Sequence, residues 1–241
     1  MRYAILSDIH ANVDSLQQAL SKTGADDVIV SLGDVVGYGP NPNEVVRLLR
    51  DRARHAVLGN HDLAALENFG VEHFNEAARA AILWTQGVLD EASRGWLNLL
   101  PYELRFPDFL LVHGAPVKYF EYILDKEEAA AAFDRTDAPL IFVGHTHIAQ
   151  YWVRDGSRAI GHKHMQHGGS LELEDGKRYI VDVGSVGQPR DLNPLASFAF
   201  YDPSVKRVEW LRYEYPIEEV QRKMRAARLP RYLVDRLSRG R

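Results

Sequence analysis

Apolar residues along this chain come in short unbroken runs, each ended by polar residues of a restricted kind. Arg2-Tyr3-Ala4-Ile5-Leu6-Ser7 leads into Asp8-Ile9-His10, Val28–Leu32 into Gly33-Asp34, and His55–Leu58 into Gly59-Asn60-His61-Asp62. Phe109–Val112 leads into His113-Gly114, and Leu140–Val143 into Gly144-His145-Thr146-His147. Unbroken runs of this length suit strands buried on both faces. The stretches between them have helical period. Val13, Leu16 and Leu20 mark a helix over Asn12 to Thr23, with Gly24 as its stop. Asn41-Pro42-Asn43-Glu44 supplies a cap, a proline at the first helical position and an acid in the first turn, ahead of Val45, Leu48 and Leu49. Leu63–Leu100 predicts two or three helices closed by Pro101, and Lys126–Asp134 another, while Tyr102–Phe106 alternates like an exposed strand.

Alternating strands and helices predict a largely parallel sheet for the first 147 residues, with the polar residues gathered beyond its carboxyl ends. Asp8 and His10, two positions apart beyond a strand, can turn the same way. The second half changes character. Tyr151–Val153, Ile160, Leu171–Leu173, Tyr179–Val183, Ser197–Tyr201 and Val208–Trp210 are short and β-rich, with turn signals at Asp155-Gly156 and Asp175-Gly176. They predict hairpins forming a second sheet packed on the first. With no linker or repeat, the expectation is a single domain over 1–241 with a basic helical tail from about 216 to 241, broken at Pro230 and solvated along its charged face.

Composition narrows the chemistry more than the fold. A 241-residue chain that is 46% hydrophobic and 26% charged is ordinary for a globular protein, and a net charge of −4 gives no general attraction to nucleic acid or anionic membrane. The first apolar run reaches Asp8 too soon for a signal peptide, and no run approaches the roughly 18 apolar residues of a membrane span. The expectation is a cytoplasmic protein. There are no cysteines, so disulfides and thiolate chemistry are excluded and any metal must be held by oxygen and nitrogen. The candidate ligands Asp8, His10, Asp34, Asn60, His113, His145 and His147 suit borderline divalent ions: Mn²⁺ is expected, with Fe, Zn, Ni or Co compatible. One carboxylate, for which Asp34 is placed, can bridge two ions about 3.5–4 Å apart. Two cations sharing a water lower its pKa from about 15.7 to about 7 or below, which supplies a bridging hydroxide nucleophile and leaves only a proton to be found for the departing oxygen.

Taken together, Asp8-x-His10, Gly33-Asp34, Gly59-Asn60-His61-Asp62, His113-Gly114 and Gly144-His145-Thr146-His147 resemble the calcineurin-like metallophosphoesterases, over about the first 190 residues. Asp34–Pro40 and Gly184–Asp191 are similar to the small bacterial and archaeal phosphodiesterase-type branch. The resemblance implies an α/β fold, an αββα sandwich of two mixed β-sheets. It implies one metal held by Asp8, His10 and His147, a second held by Asn60, His113 and His145, and Asp34 between them. It makes His61 the proton donor or transition-state stabiliser, oriented by Asp62. Asn12 and Arg190 stand where they could reach a substrate phosphate, and Tyr38, the helices after Asp62 and the 155–178 loops are the expected pocket walls.

The sequence also departs from its relatives. Phosphoprotein phosphatases of this superfamily carry phosphate-holding arginines at positions that are Tyr38 and Leu58 here, and Ala11 stands where many members have glycine. The missing arginines point to a diester or a small phosphorylated, nucleotide-like substrate. A dinucleoside-polyphosphate hydrolase is the alternative enzyme, and a protein-binding scaffold on the same fold is disfavoured by the intact ligands and His61. No specific protein partner is expected. His162, His164 and His167 form a separate cluster, expected in a solvated turn or loop.

Overall fold

The computed structural model describes residues 1–241. The chain begins with β1 (Tyr3–Leu6), α1 (Val13–Ser21), β2 (Val28–Ser31), α2 (Pro42–Arg52) and β3 (Ala53–Ala56), followed by α3 (Asn60–Glu67), α4 (Glu76–Val88) and α5 (Glu91–Leu97). Side-chain caps set the starts of α4 and α5: Asn75 Oδ1 accepts from the Ala78 amide at 2.9 Å, and Asp90 Oδ1 from the Ser93 amide at 2.7 Å. Then come β4 (Glu103–Arg105), β5 (Leu110–Val112), α6 (Lys126–Arg135) and β6 (Leu140–Val143). The second half supplies β7 (Ala149–Arg154), β8 (Ile160–His164), β9 (Gly169–Glu172), β10 (Arg178–Val183), β11 (Ala196–Asp202), β12 (Arg207–Tyr213), α7 (Ile217–Ala226) and α8 (Arg231–Arg236).

Two mixed six-stranded sheets result, but they do not divide the chain at its midpoint as expected. One runs β3-β2-β1-β11-β12-β9 and the other β4-β5-β6-β10-β7-β8. The parallel set β1, β2, β3 lies in the first sheet, and the parallel set β5, β6, β10 in the second. The physical reason is that a fully buried strand needs a hydrogen-bonded neighbour on both sides. β1 finds β2 on one side and the antiparallel β11 on the other, and β6 lies between β5 and β10. The later strands therefore complete both sheets rather than building one of their own.

Side-chain alternation sorts the layers. Tyr3 and Ile5 of β1 and Leu140 and Phe142 of β6 enter the apolar layer between the sheets, with Trp210. Ala4 and Leu6 face the helices on the outer side of the first sheet, and Ile141 and Val143 face α6 beyond the second. The tail breaks at Pro230 as predicted, and opposite its charged face it is packed into the fold. Val220, Met224, Leu229, Leu233, Val234 and Leu237 are buried in the largest apolar cluster, because α7 and α8 present one apolar face while their cations line the other. His162 and His164 lie on β8, an edge strand, rather than in a turn: His162 stacks on Trp152 at 3.8 Å and its Nε2 bonds Gln150 Oε1 at 2.8 Å. No helix is long and apolar enough to cross a membrane.

Candidate metal centre

The ends of β1 and β2 in one sheet and of β5 and β6 in the other converge with the first turn of α3, and every candidate ligand is at that junction. Asp8, His10, Asp34, His145 and His147 all have left-handed backbone, with φ from 48° to 69°. This conformation turns the chain sharply as each strand ends and costs about 1–2 kcal/mol per non-glycine residue. Ala11 shares it, at φ 52°. The turns are held by one another: the Asp8 amide donates to Gly33 O at 3.1 Å, His10 to Asp34 O at 2.9 Å and Ala11 to Val35 O at 2.9 Å. Two glycines permit the crowding. A Cβ at Gly59 would lie 2.1 Å from the Asp34 amide nitrogen and Oδ1, and one at Gly144 would lie 1.8 Å from Ser7 Oγ.

The ligand atoms of Asp8, His10, Asp34 and His147 lie within 4.8 Å of one another, as do those of Asp34, His113 and His145. Asp34 belongs to both groups. Its Oδ1 accepts from the His61 amide at 2.8 Å, while Oδ2 lies 3.6 Å from His10 Nε2 and 3.4 Å from His113 Nε2. Asn60 Oδ1 faces His113 Nε2 at 3.2 Å, which brings it to the second group. Three imidazoles are oriented from behind: the Nδ1 atoms of His10, His113 and His147 meet the carbonyls of Val36 at 3.1 Å, Leu32 at 2.7 Å and Gln188 at 2.7 Å. Donation there leaves each Nε2 as the lone-pair nitrogen, the tautomer a metal ligand needs. His10 Nε2 and His147 Nε2 then face each other at 3.2 Å, and Asp8 Oδ1 and His145 Nε2 are buried without any hydrogen-bond partner. Converging acceptors with nothing between them fit a divalent ion on each side of Asp34.

The electrostatics agree. Burial opposes charge on Asp8 and Asp34, but the neighbouring His147 and His113 outweigh it and hold both carboxyls below the usual range. Burial pushes His10, His147 and His145 down, the last to about 3, so these donors are unprotonated at neutral pH. His113 is the exception: burial is overcome by Asp34 and Asp8, which raise it to about 9, so its Nε2 must lose a proton to a metal before it is a lone-pair donor.

The remaining predicted site residues divide. His61 is buried with its ring 4.9 Å from His10, 4.3 Å from Tyr38 and 4.7 Å from Phe74. Asp62 does not orient it. Asp62 Oδ1 accepts from the Val36 amide at 2.9 Å and Oδ2 from the Gly59 amide at 3.1 Å, while His61 Nδ1 has no partner. Asp62 therefore holds the start of α3 to the loop after β2, and burial together with the Asp34 charge lifts it to about 7. Asn12 is also engaged within the protein. Its oxygen caps α1 through the Ser15 amide at 3.1 Å, and its nitrogen donates to Gly187 O at 3.1 Å, so both ends of the amide are engaged within the protein. Arg190 does face the site, 5.5 Å from the centre of the Tyr38 ring. The turns at Asp155 and Asp175 lie beyond the Arg154–Arg178 end of the β7–β10 ladder, opposite the Ala149–Val183 end near the site, so they wall no part of it. Tyr122, which sequence reasoning missed, stacks face to face on His145 at 3.8 Å and 13°. It sits in an irregular loop with no periodicity to mark it.

Known proteins resemble this chain in sequence and fold. The sequence model of the calcineurin-like phosphoesterases matches residues 1–149. A metallophosphoesterase structure from Sphaerobacter thermophilus is 42% identical, covers all of both chains and superposes with a TM-score of 0.90. An uncharacterized protein of Methanocaldococcus jannaschii is 35% identical over 99% of this chain and 98% of its own. A shorter match, 42% identical over 66 residues, joins 25% of this chain to 23% of the symmetrical bis(5'-nucleosyl)-tetraphosphatase of Baumannia cicadellinicola. A ligand cluster built between two mixed sheets, and relatives that align from end to end, lead to one conclusion: this chain belongs to the calcineurin-like phosphoesterase family.

Proposed function

We propose that this chain hydrolyses phosphodiester-type bonds in small, nucleotide-like substrates with the help of two divalent ions, Mn²⁺ foremost. The observation that carries this reading is Asp34, whose Oδ2 faces an imidazole nitrogen from each of the two ligand groups. Asp8, His10 and His147 would hold one ion and Asn60, His113 and His145 the other, with Asp34 shared. Such a pair, when bound, neutralises charge on phosphoryl oxygens and lowers the pKa of water at the site.

The chain's own residues supply the rest. The carbonyls of Val36, Leu32 and Gln188 keep the ligand imidazoles in one tautomer. His61, held by burial to about 4, is neutral at physiological pH and offers one ring N–H to an oxygen on phosphorus. Tyr38 and Phe74 hold that ring in place and exclude water around it. With no arginine at position 38 or 58, the bidentate fork that grips a terminal phosphate dianion is missing, which supports a diester over a phosphoprotein. The second reading, a dinucleoside-polyphosphate hydrolase, is favoured by the short match to a tetraphosphatase.

The test is direct. Metal-loaded protein should contain about two ions per chain, lose activity on chelation and recover it best with Mn²⁺. Its kcat/KM for bis-p-nitrophenyl phosphate should match or exceed that for p-nitrophenyl phosphate. One ion or none with chelator-resistant activity, or a strong monoester preference, refutes the reading.

A further inference from the structure

The loop between β5 and α6 carries two aromatic rings onto one side of the metal centre. It leaves the strand at His113-Gly114 and folds straight back on it: the Gly114 amide donates to Tyr119 O at 2.9 Å and the Ala115 amide to Glu121 O at 3.0 Å. The return is tight, since a Cβ at Gly114 would lie 2.6 Å from Glu121 O. Phe120 is thereby set edge-on to His113, with ring centres 6.3 Å apart, and Tyr122 lies flat on His145 at 3.8 Å and 13°. These two imidazoles, 4.9 Å apart, both belong to the second ligand group. In the first group His10 and His147 stack on each other instead, and His10 meets Tyr38 and His61.

His145 differs from the other three candidate imidazoles in how it is held. Backbone carbonyls fix the Nδ1 atoms of His10, His113 and His147. In His145 the main-chain amide is bonded, to Asp8 Oδ2 at 3.0 Å, but the ring is not, and its Nε2 is buried with no partner. An imidazole without an outer hydrogen bond can swing about Cβ–Cγ, and that freedom must be given up when it binds an ion. A parallel stack opposes the swing, because turning the ring out of plane drives its edge into the neighbouring face. Tyr122 is 42% exposed, so its ring is not placed there to fill a core.

We propose that Tyr122 is the positioning residue of His145: its ring does by stacking what carbonyls do for the other three imidazoles, so that one ion of the pair depends on Tyr122 and the other does not. This rests on the two-ion reading of the centre. The flat face of the ring carries the effect, and the hydroxyl has no part in it.

The experiment titrates Mn²⁺ into metal-free, full-length protein by calorimetry. Wild type should show two binding events. Tyr122→Ala should weaken one of them about tenfold, the usual cost of losing an outer partner of a metal-bound histidine, and leave the other unchanged. Tyr122→Phe should keep both, and Tyr122→Leu, which has bulk but no flat face, should behave like the alanine variant. No weakening, equal weakening of both events, a phenylalanine variant as weak as alanine, or a leucine variant equal to wild type overturns the proposal. If wild type binds fewer than two ions, the two-ion reading has failed, and the stack is judged on the metal-free chain by ¹³C relaxation of the His145 Cδ2–H bond. A lower order parameter in Tyr122→Ala than in wild type and Tyr122→Phe, with His113 unchanged, supports it; equal order parameters overturn it. If the alanine variant does not melt cooperatively, Tyr122→Leu replaces it.

Discussion

His61 is tied to the centre only through its backbone, since its amide donates to Asp34 Oδ1 at 2.8 Å and its ring nitrogen Nδ1 has no partner. His61→Gln should therefore leave metal content and melting temperature near wild type and lower turnover by roughly 10²–10⁴-fold. A ring held neutral by burial stabilises charge through its N–H rather than giving the proton up, so the defect should be similar for p-nitrophenolate and alkoxide leaving groups. Asp182 makes a prediction of another kind. It is buried on β10, accepting from Thr146 Oγ1 at 2.5 Å and the Gly184 amide at 3.0 Å, and burial followed by the charge of Asp8 raises its carboxyl well above the ordinary range. A carboxyl that keeps its proton more tightly when folded makes stability fall as pH rises from about 4 through its folded pKa, and level off above it. Melting curves from pH 4 to 8 should show Asp182→Asn lacking that fall and gaining on the wild type as pH rises. At this scale the candidate ligands that the fold brings together were legible, because acids, amides and imidazoles followed apolar runs. The duties of Asn12 and Asp62 were not, since their partners, Gly187 and Val36, come from segments that only the folded chain brings near.

Each ligand-bearing turn is as good as the space its neighbours leave. Gly59 has ordinary backbone, at φ −95°, so an alanine there is not strained by conformation; it fails because its Cβ would strike Asp34 at 2.1 Å. Gly59→Ala should push the β2 turn and the start of α3 apart and weaken metal binding at least tenfold by titration calorimetry, the usual result of a contact that neither backbone can relieve. Gly87 in α4 and Gly95 in α5 form the contrast, with nothing within 4 Å of an added Cβ. Gly87→Ala and Gly95→Ala should each stabilise the fold by about 0.5–1 kcal/mol, read as a rise in melting temperature, with metal affinity unchanged. The elements were readable because runs and helical periods record which faces are buried. Sheet membership was not, because a periodicity says that β1 has two covered faces and two paired edges without saying that β11 is one of its partners.

The molecule as a whole depends on its tail. Val220, Met224, Leu229, Leu233, Val234 and Leu237 are six buried apolar side chains. At about 1.5–3 kcal/mol each their burial is worth about 9–18 kcal/mol gross, as much as the net stability of an ordinary domain. A chain ending at Tyr215 should show no cooperative thermal transition by circular dichroism, whether or not metal is added. The tail's charges suggested solvent because composition weighs every face of a helix alike, whereas packing uses only one.

The pairing of β1 with β11 has a consequence in time. Tyr201, the partner of Tyr3 across the sheet, leaves the ribosome nearly two hundred residues after it. At about 5–20 residues per second, β1 waits on the order of 10–40 s for the edge that completes it. Until then Asp8 and His10 hang from a strand with one side unpaired, exposed to chaperones and to stray metal. The centre is therefore completed late, in a slow step that joins strands nearly two hundred residues apart.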